Sequence, residues 1–251
     1  MAPLRLVLCR CLVVLACCLT IGILANITAL PLAAAPSTAI DTAAFAQWRQ
    51  AFRARATQRG ISVATLRRTL DRATASERVL ALSEHQPEFT RPIWEYLDGA
   101  VSHSRIQRGR GLLRHQGSLL ARIEARFGVD RAILVAIWGL ETDYGRVFGG
   151  FDVIDALATL AHGGRRQAFG EEQLLAALEL VDGEIITPRQ LRGSWAGAMG
   201  HTQFIPTTYR DYAVDFDGDS RRDLWTPAPP MGSAAPEIGR AGWRAGGPRG
   251  V

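Results

Sequence analysis

A mainly α-helical fold is predicted for this chain of 251 residues, and three observations predict it. Apolar side chains recur at three- and four-residue spacing from about residue 45 to residue 181; alternating apolar–polar runs of the kind strands need are few; and no internal repeat is present. Hydrophobic residues make up 47% of the chain, enough for one large core or two modest ones. The four cysteines, Cys9, Cys11, Cys17 and Cys18, all precede residue 19, so the body must be stabilised by packing rather than by disulfides or thiolate metal sites.

Residues 1–35 read as an export signal or a membrane anchor. Arg5 and Arg10 accompany a long apolar stretch, Cys11 to Ala35, broken only by Thr20, Asn26, Thr28 and Pro31. Small residues at Ala33-Ala34-Ala35 or Ser37-Thr38-Ala39 offer a cleavage point. Val14-Leu15-Ala16-Cys17 loosely matches a lipoprotein site, which would leave Cys17 lipidated and the protein associated with a membrane.

Residues 36–225 form the expected folded body. Asp41 and Thr42 can cap a helix carrying Phe45, Trp48 and Phe52, which Gly60 ends. Ser62 caps a second short helix with Ile61, Val63, Leu66 and Leu70 at helical spacing. Pro87 and Pro92 bracket a loop. A long helical stretch then runs from about Ile93 to Phe127, with Trp94, Leu97, Val101, Leu112, Leu113, Leu119, Leu120 and Ile123 as its apolar positions and Gly109 and Gly111 as its interruption. Segments 152–162 and 169–181 are two further helices, parted by Gly163-Gly164. Residues 226–251, dominated by Pro, Gly and Ala, are expected to be an irregular, poorly ordered tail.

Charge excludes less than it might. The chain has no lysine, and its 29 arginines stand against 24 acids for a net of +5. Setting aside Arg5 and Arg10 leaves +3, with acids and bases interleaved. That mild excess fits a polyanionic surface such as a cell wall. No basic stripe or nucleic-acid motif accompanies it, so the expectation is of no nucleic-acid partner.

Chemistry concentrates at Asp130–Gly145. Nine apolar or glycine residues run from Ala132 to Leu140, too continuous for a surface helix, and Glu141 follows directly. A carboxyl group at the end of a buried helix has its pKa raised, because burial disfavours the charged form. Such a group can donate a proton near neutral pH, as cleavage of a sugar acetal requires when its bridging oxygen departs. The plainer reading is a Glu within a packing network, neutralised by an Arg or by backbone donors. Asp143, two residues on, faces another side of the helix and reads as solvated or structural.

Motifs in order extend the case. Glu141-Thr142-Asp143-Tyr144-Gly145, Asp155-Ala156-Leu157-Ala158-Thr159-Leu160 and Gly164-Arg165-Arg166 are followed by Gly193-Ser194-Trp195-Ala196-Gly197-Ala198-Met199-Gly200 and Gln203-Phe204-Ile205-Pro206. Tyr212 to Asp219 and Asp223-Leu224-Trp225 complete the series, with Gln86-Pro87-Glu88-Phe89 and Trp94-Glu95-Tyr96-Leu97 upstream. Over residues 45–225 the chain resembles the lytic murein transglycosylase B family, a lysozyme-like, peptidoglycan-cleaving group. That resemblance implies a lysozyme-like helical core, a periplasmic location and cleavage of the bond between N-acetylmuramic acid and N-acetylglucosamine in peptidoglycan glycan strands. It implies that Glu141 protonates the leaving oxygen and then takes the proton of the C6 hydroxyl, which closes a 1,6-anhydro ring without water. It also implies that no cofactor is required. A muramidase that uses water and a catalytically weak peptidoglycan-binding or scaffold protein are the alternatives.

On the same resemblance, Ser194 is the candidate for orienting Glu141 or the substrate's acetamido group, or else part of a packing turn. Gln203 offers an amide to the sugar. Arg165 and Arg166 either pair with stem-peptide carboxylates or are ordinary surface arginines. Tyr96 and Phe204 (and Tyr209) offer flat faces for sugar rings, or belong to the core. Asp215, Asp217 and Asp219 alternate as in the EF-hand-like loop of some family members, so they either hold a structural Ca²⁺ or form a solvated acidic turn. Ser220 stands where an EF-hand has glycine and Thr226 where it has its last glutamate, while Asp223 offers a substitute ligand. Beyond Gly232-Ser233-Ala234-Ala235 the family's Asn-Tyr is replaced by Pro236-Glu237, Ala241-Gly242-Trp243-Arg244 recovers the pattern, and the sequence then stops at Val251, short of where the family continues, so the sugar groove is expected to be open at that end.

Overall fold

The computed structural model describes residues 40–84, 92–226 and 229–246. The export segment and Gln86-Pro87-Glu88-Phe89 lie outside the described residues. Among those described, no helix is long and apolar enough to cross a membrane.

The mainly helical expectation holds. Helix α1 (Thr42–Gln58) begins where Asp41 accepts from the Ala43 and Ala44 amides at 2.9 and 3.0 Å, and Gly60 ends the turn that follows it at φ +94°. Helix α2 (Val63–Arg68) is capped by Ser62, whose hydroxyl accepts from Thr65 N. Val63 on that helix is exposed, while Ile61, Leu66 and Leu70 are buried as expected. A short α3 (Glu77–Glu84), absent from the sequence reading, packs on α8 (Val153–Gly163). Helix α8 is almost wholly buried and lies against α9 (Gln167–Asp182). They approach closely because Gly170 has no side chain: a Cβ there would stand 2.5 Å from the Ala161 nitrogen. With α10 (Pro206–Tyr212), these helices enclose a first core around Leu66, Leu157, Leu174, Leu178 and Tyr209.

The long helix expected over 93–127 is instead three: α4 (Ile93–Ala100), α5 (His103–His115) and α6 (Gly117–Phe127). The breaks fall at Val101-Ser102 and Gln116, not at Gly109 and Gly111, which lie inside α5. Gly109 serves packing. With Gly139 on α7 (Arg131–Thr142) it leaves room for the Tyr144 ring; a Cβ on either would come within 2.6 Å of that ring or its hydroxyl. Tyr144 completes the fit by donating its hydroxyl to Arg105 O at 2.9 Å. Three of the apolar positions of that stretch, Trp94 and Leu97 on α4 and Val101 at its C-terminal cap, are exposed, at 65, 47 and 54%.

A second core gathers Leu120 and Ile123 of α6, Leu134, Val135 and Trp138 of α7, and Met231, Ala234 and Ala235. The last three overturn the expected irregular tail, since they belong to α11 (Pro229–Arg240), which packs on α6, α7 and α10. Pro236 lies inside this helix and gives up one backbone bond, yet the buried row Met231, Ala234, Ala235 keeps helical spacing. The strand content is a small ribbon: β1 (Phe151–Asp152) pairs antiparallel with β2 (Arg192–Gly193), and bridges at Met199 extend it to Phe204.

Candidate active site

Helix α7 starts at Asp130, whose carboxylate accepts from Ala132 N at 2.7 Å, and it is amphipathic rather than buried all round. Leu134, Val135, Trp138, Gly139 and Thr142 face the core, whereas Ala132, Ala136 and Leu140 are exposed. The unbroken apolar run therefore combines a buried face with a greasy open one, and Glu141 continues the open face. It is in the last turn of α7, where the unpaired carbonyls add a partial negative charge.

Ile137 and Glu141 form one wall of a cavity of about 280 Å³ at the seam between the two cores. Thr202, Gln203, Phe204, Ile205 and Thr208 form the second wall, and Ala234, Glu237 and Ile238 of α11 the third. Glu141 is reached by solvent along the helix surface, yet protein crowds its carboxyl. That crowding decides its titration: burial raises the pKa above the ordinary carboxylate value, and the charge of Glu237 raises it further. Burial raises the pKa of Glu237 as well.

Behind Glu141 stands an ordered polar relay. Trp138 donates its indole N–H to His201 Nδ1 at 2.8 Å. An indole can only donate, so Nδ1 accepts, the proton is on Nε2, and Nε2 donates to Trp225 O at 3.0 Å. Burial lowers the His201 pKa, in keeping with a neutral ring. Thr142 donates to His201 O at 2.8 Å and accepts from Gly145 N at 3.0 Å, which ties the end of α7 to the 200–204 segment. Gly145 must be glycine there: its φ is +83° and a Cβ would lie 2.1 Å from the imidazole.

Asp143 takes no part in the cavity. It caps α7 at φ +49° and pairs with Arg105, Arg108 and Arg146. Partial burial opposes its ionisation, but hydrogen bonds and charge from Arg108 and Arg105 outweigh this and hold its pKa below the usual value. A depressed carboxyl pKa contributes stability above its unfolded value and loses it as pH falls through the folded one. Asp143→Asn is therefore expected to cost about 1 kcal/mol or less at pH 7 for so open a cluster, and less than that at pH 2, seen as a smaller drop in melting temperature. Thermal melts at the two pH values check this.

The structure thus brings three of the sequence candidates together, Glu141, Gln203 and Phe204. Gln203 holds φ +51°, unusual for a residue with a side chain, and donates Nε2 to Gly200 O at 3.0 Å while lining the cavity. Phe204 is 2% exposed and belongs to the first core, so it supports the wall rather than presenting a face. Tyr209 is likewise buried, its hydroxyl donated to Arg222 O and its pKa pushed up to about 12 by burial. Ser194 lies off the cavity; its hydroxyl accepts from Ala198 N at 3.0 Å and Ala196 N at 3.3 Å, which shapes the glycine-rich turn. Arg165 and Arg166 flank a separate hollow of about 170 Å³ with Phe169 and Trp195, and Arg166 stacks on Phe169 at 4.3 Å. Tyr96 stands half exposed on α4. A larger cavity of about 510 Å³ is ringed by Arg68, Arg72, Arg189 and Arg192. Its carboxyls are occupied, Asp152 as the cap of α8 and Asp155 by Thr74, so it offers no free acid.

Two cavity residues escaped the sequence reading as participants, Glu237 and Thr202. Thr202 is 6% exposed, and its hydroxyl has no partner among the described residues. A buried hydroxyl without a partner is costly and is normally satisfied by ligand or water.

Two helical cores with a crowded carboxyl at their seam define a lysozyme-like fold, and comparison with known proteins assigns it. The chain belongs to the transglycosylase SLT domain family, whose model matches residues 44–251. It is 35% identical over 188 residues to membrane-bound lytic murein transglycosylase B of Escherichia coli (strain K12), an overlap of 71% of this chain and 52% of that protein. SltB3 of Pseudomonas aeruginosa in complex with NAG-anhNAM-pentapeptide is similar in structure, with a TM-score of 0.77 and 45% identity, covering 81% of this chain and 55% of that one. Escherichia coli Slt35 in complex with calcium matches with a TM-score of 0.71 and 32% identity, covering 82% of this chain and 65% of that one. The chain spans about half the length of the first two relatives.

Proposed function

We propose that this protein is a lytic transglycosylase that cleaves peptidoglycan glycan strands between N-acetylmuramic acid and N-acetylglucosamine. One observation carries the proposal: Glu141, its carboxyl pKa raised by crowding and by Glu237, lines a solvent-reached cavity at the end of an open apolar helix face. Family membership and the SltB3 complex with NAG-anhNAM-pentapeptide support the choice of substrate.

Protonated Glu141 gives its proton to the bridging oxygen as the C1–O bond breaks. The substrate's own acetamido group stabilises the positive centre, which is how one carboxyl suffices where most glycosidases use two. Ionised Glu141 then removes the proton of the C6 hydroxyl while O6 bonds to C1. Gln203, held with its amide at the wall, is the residue to orient the acetamido group. Digestion of purified murein followed by product masses tests the reading: fragments ending in 1,6-anhydromuramic acid are expected, and release of none refutes it. The apolar stretch of residues 1–35 supports export to the periplasm.

No cofactor enters the chemistry, but the acidic turn is suited to a structural cation. Carboxylate oxygens of Asp215, Asp217 and Asp219 lie within 4.8 Å of one another, and Asp217 has no partner among the described residues. Asp215 is already oriented by the amides of Gly218 and Ser220 at 2.7 and 2.9 Å. Asp223 does not join them, since it accepts from Trp225 N and Thr226 Oγ1. The turn also anchors α11: a Cβ at Gly232 would meet Phe216 at 2.7 Å, and Ser233 exchanges hydrogen bonds with Val214 at 3.1 and 3.4 Å. Ca²⁺ at saturating concentration is expected to stabilise the protein by about 2–3 kcal/mol, roughly 5–10 °C in melting temperature, reversibly with chelator. Asp217→Asn should abolish the shift in the same melt.

A further inference from the structure

The cavity holds more chemistry than a single proton shuttle needs. Glu237 on α11 shares it with Glu141 on α7, and Thr202 brings a buried hydroxyl with no partner among the described residues. We propose that Glu237 and Thr202 form a water-activating site that gives the enzyme a second, hydrolytic outcome.

This inference rests on the transglycosylase reading and adds a branch to it. Both branches begin when Glu141 protonates the bridging oxygen and the C1–O bond breaks. In the first, O6 of the same sugar attacks C1 and Glu141 recovers a proton. In the second, the oxygen of a water held by Thr202 attacks C1, the new C1–O bond forms, and the water's proton passes to the Glu237 carboxylate. The product then carries an ordinary reducing end, heavier by one water, and Glu141 is reprotonated from solvent while Glu237 releases its proton. Two carboxyls of like charge lining one cavity make double ionisation costlier, as the effect of Glu237 on Glu141 shows, and this favours one acid beside one base. Glycosidases that flank the scissile bond with two carboxyl groups divide the labour in this way. A lone glutamate, by contrast, cannot act as acid and water-activating base simultaneously.

The test is digestion of purified murein by the full chain in ¹⁸O-water, with masses of the released fragments. Wild type is expected to give both anhydro ends and ¹⁸O-labelled reducing ends. Glu237→Gln should lower the ratio of labelled to anhydro ends on the order of 100-fold, the lower end of what a positioned base contributes. Thr202→Val, nearly isosteric and without the hydroxyl, should lower the same ratio, whereas Glu237→Asp should restore part of it. Anhydro ends alone from wild type would overturn the inference and leave the transglycosylase reading intact. Labelled ends alone, lost in Glu237→Gln, would uphold the water site and refute the transglycosylase reading. An unchanged ratio in both variants would also overturn the inference, and no fragments from wild type would sink both.

Discussion

Glu141→Gln is expected to reduce glycan release on the order of 10³–10⁴-fold, the loss that follows when a positioned acid is removed from the transition state. Glutamine keeps the volume and hydrogen-bonding reach of glutamic acid but has no proton to give. The variant should nonetheless fold, and more stably than wild type at neutral pH. Burial and Glu237 raise the Glu141 pKa in the folded state. The unfolded carboxyl therefore ionises first as pH rises, and the fold loses stability between the unfolded and folded pKa values and does not regain it above them. Glutamine is spared that loss. The melting temperature of Glu141→Gln minus that of wild type should thus be larger at pH 7 than at pH 4. Turnover of labelled murein and melts at both pH values check the two halves. Retained turnover would remove Glu141 from the chemistry, and a collapsed variant would assign it to the structure instead.

The second large effect belongs to Trp138. Its side chain is 2% exposed in the second core, makes edge contacts with Tyr144 and His201, and donates the 2.8 Å bond that orients the imidazole. Trp138→Ala empties a volume that rigid helices cannot refill and leaves His201 Nδ1 without its donor. A loss of about 3–5 kcal/mol is expected, lowering the melting temperature by roughly 10 °C. Trp138→Phe keeps most of the packing and loses the bond, for a cost nearer 1–3 kcal/mol. Denaturant unfolding of both variants separates cavity from hydrogen bond. Were the alanine variant to melt within a degree or two of wild type, the relay behind Glu141 would not be supporting the site.

Much of this was legible in the residues. Asp41 and Ser62 sit as caps before apolar periodicity, and both bond the amides such caps serve. Local rules work where local forces decide. They failed at Gly109, where glycine signals a ring slotted between two helices; nothing adjacent in sequence announces the Tyr144 that fills the gap. They failed again at α11, whose Pro and Gly content argues against a helix that burial of Met231, Ala234 and Ala235 pays for. Trp94 and Leu97 misled in the opposite sense, since periodicity shows that a helix has an apolar face but not whether anything covers it. In the candidate site, Glu141 and Gln203 stood out by motif. Glu237 did not, because an acid in an expected tail looks solvated; its place three residues after Ala234, on the buried side's spacing, was the one available signal. Thr202 offered none.

The three walls of the cavity are contributed by segments far apart along the chain, and the last of them is α11. As a nascent chain lengthens, α7 is complete long before the surface that crowds Glu141 exists. Until α11 docks, the Glu141 carboxyl lacks the wall that carries Glu237 and Ile238 and is less crowded than in the finished cavity. A chain clipped ahead of residue 229 is accordingly expected to lack the crowded carboxyl on which the proposed cleavage depends.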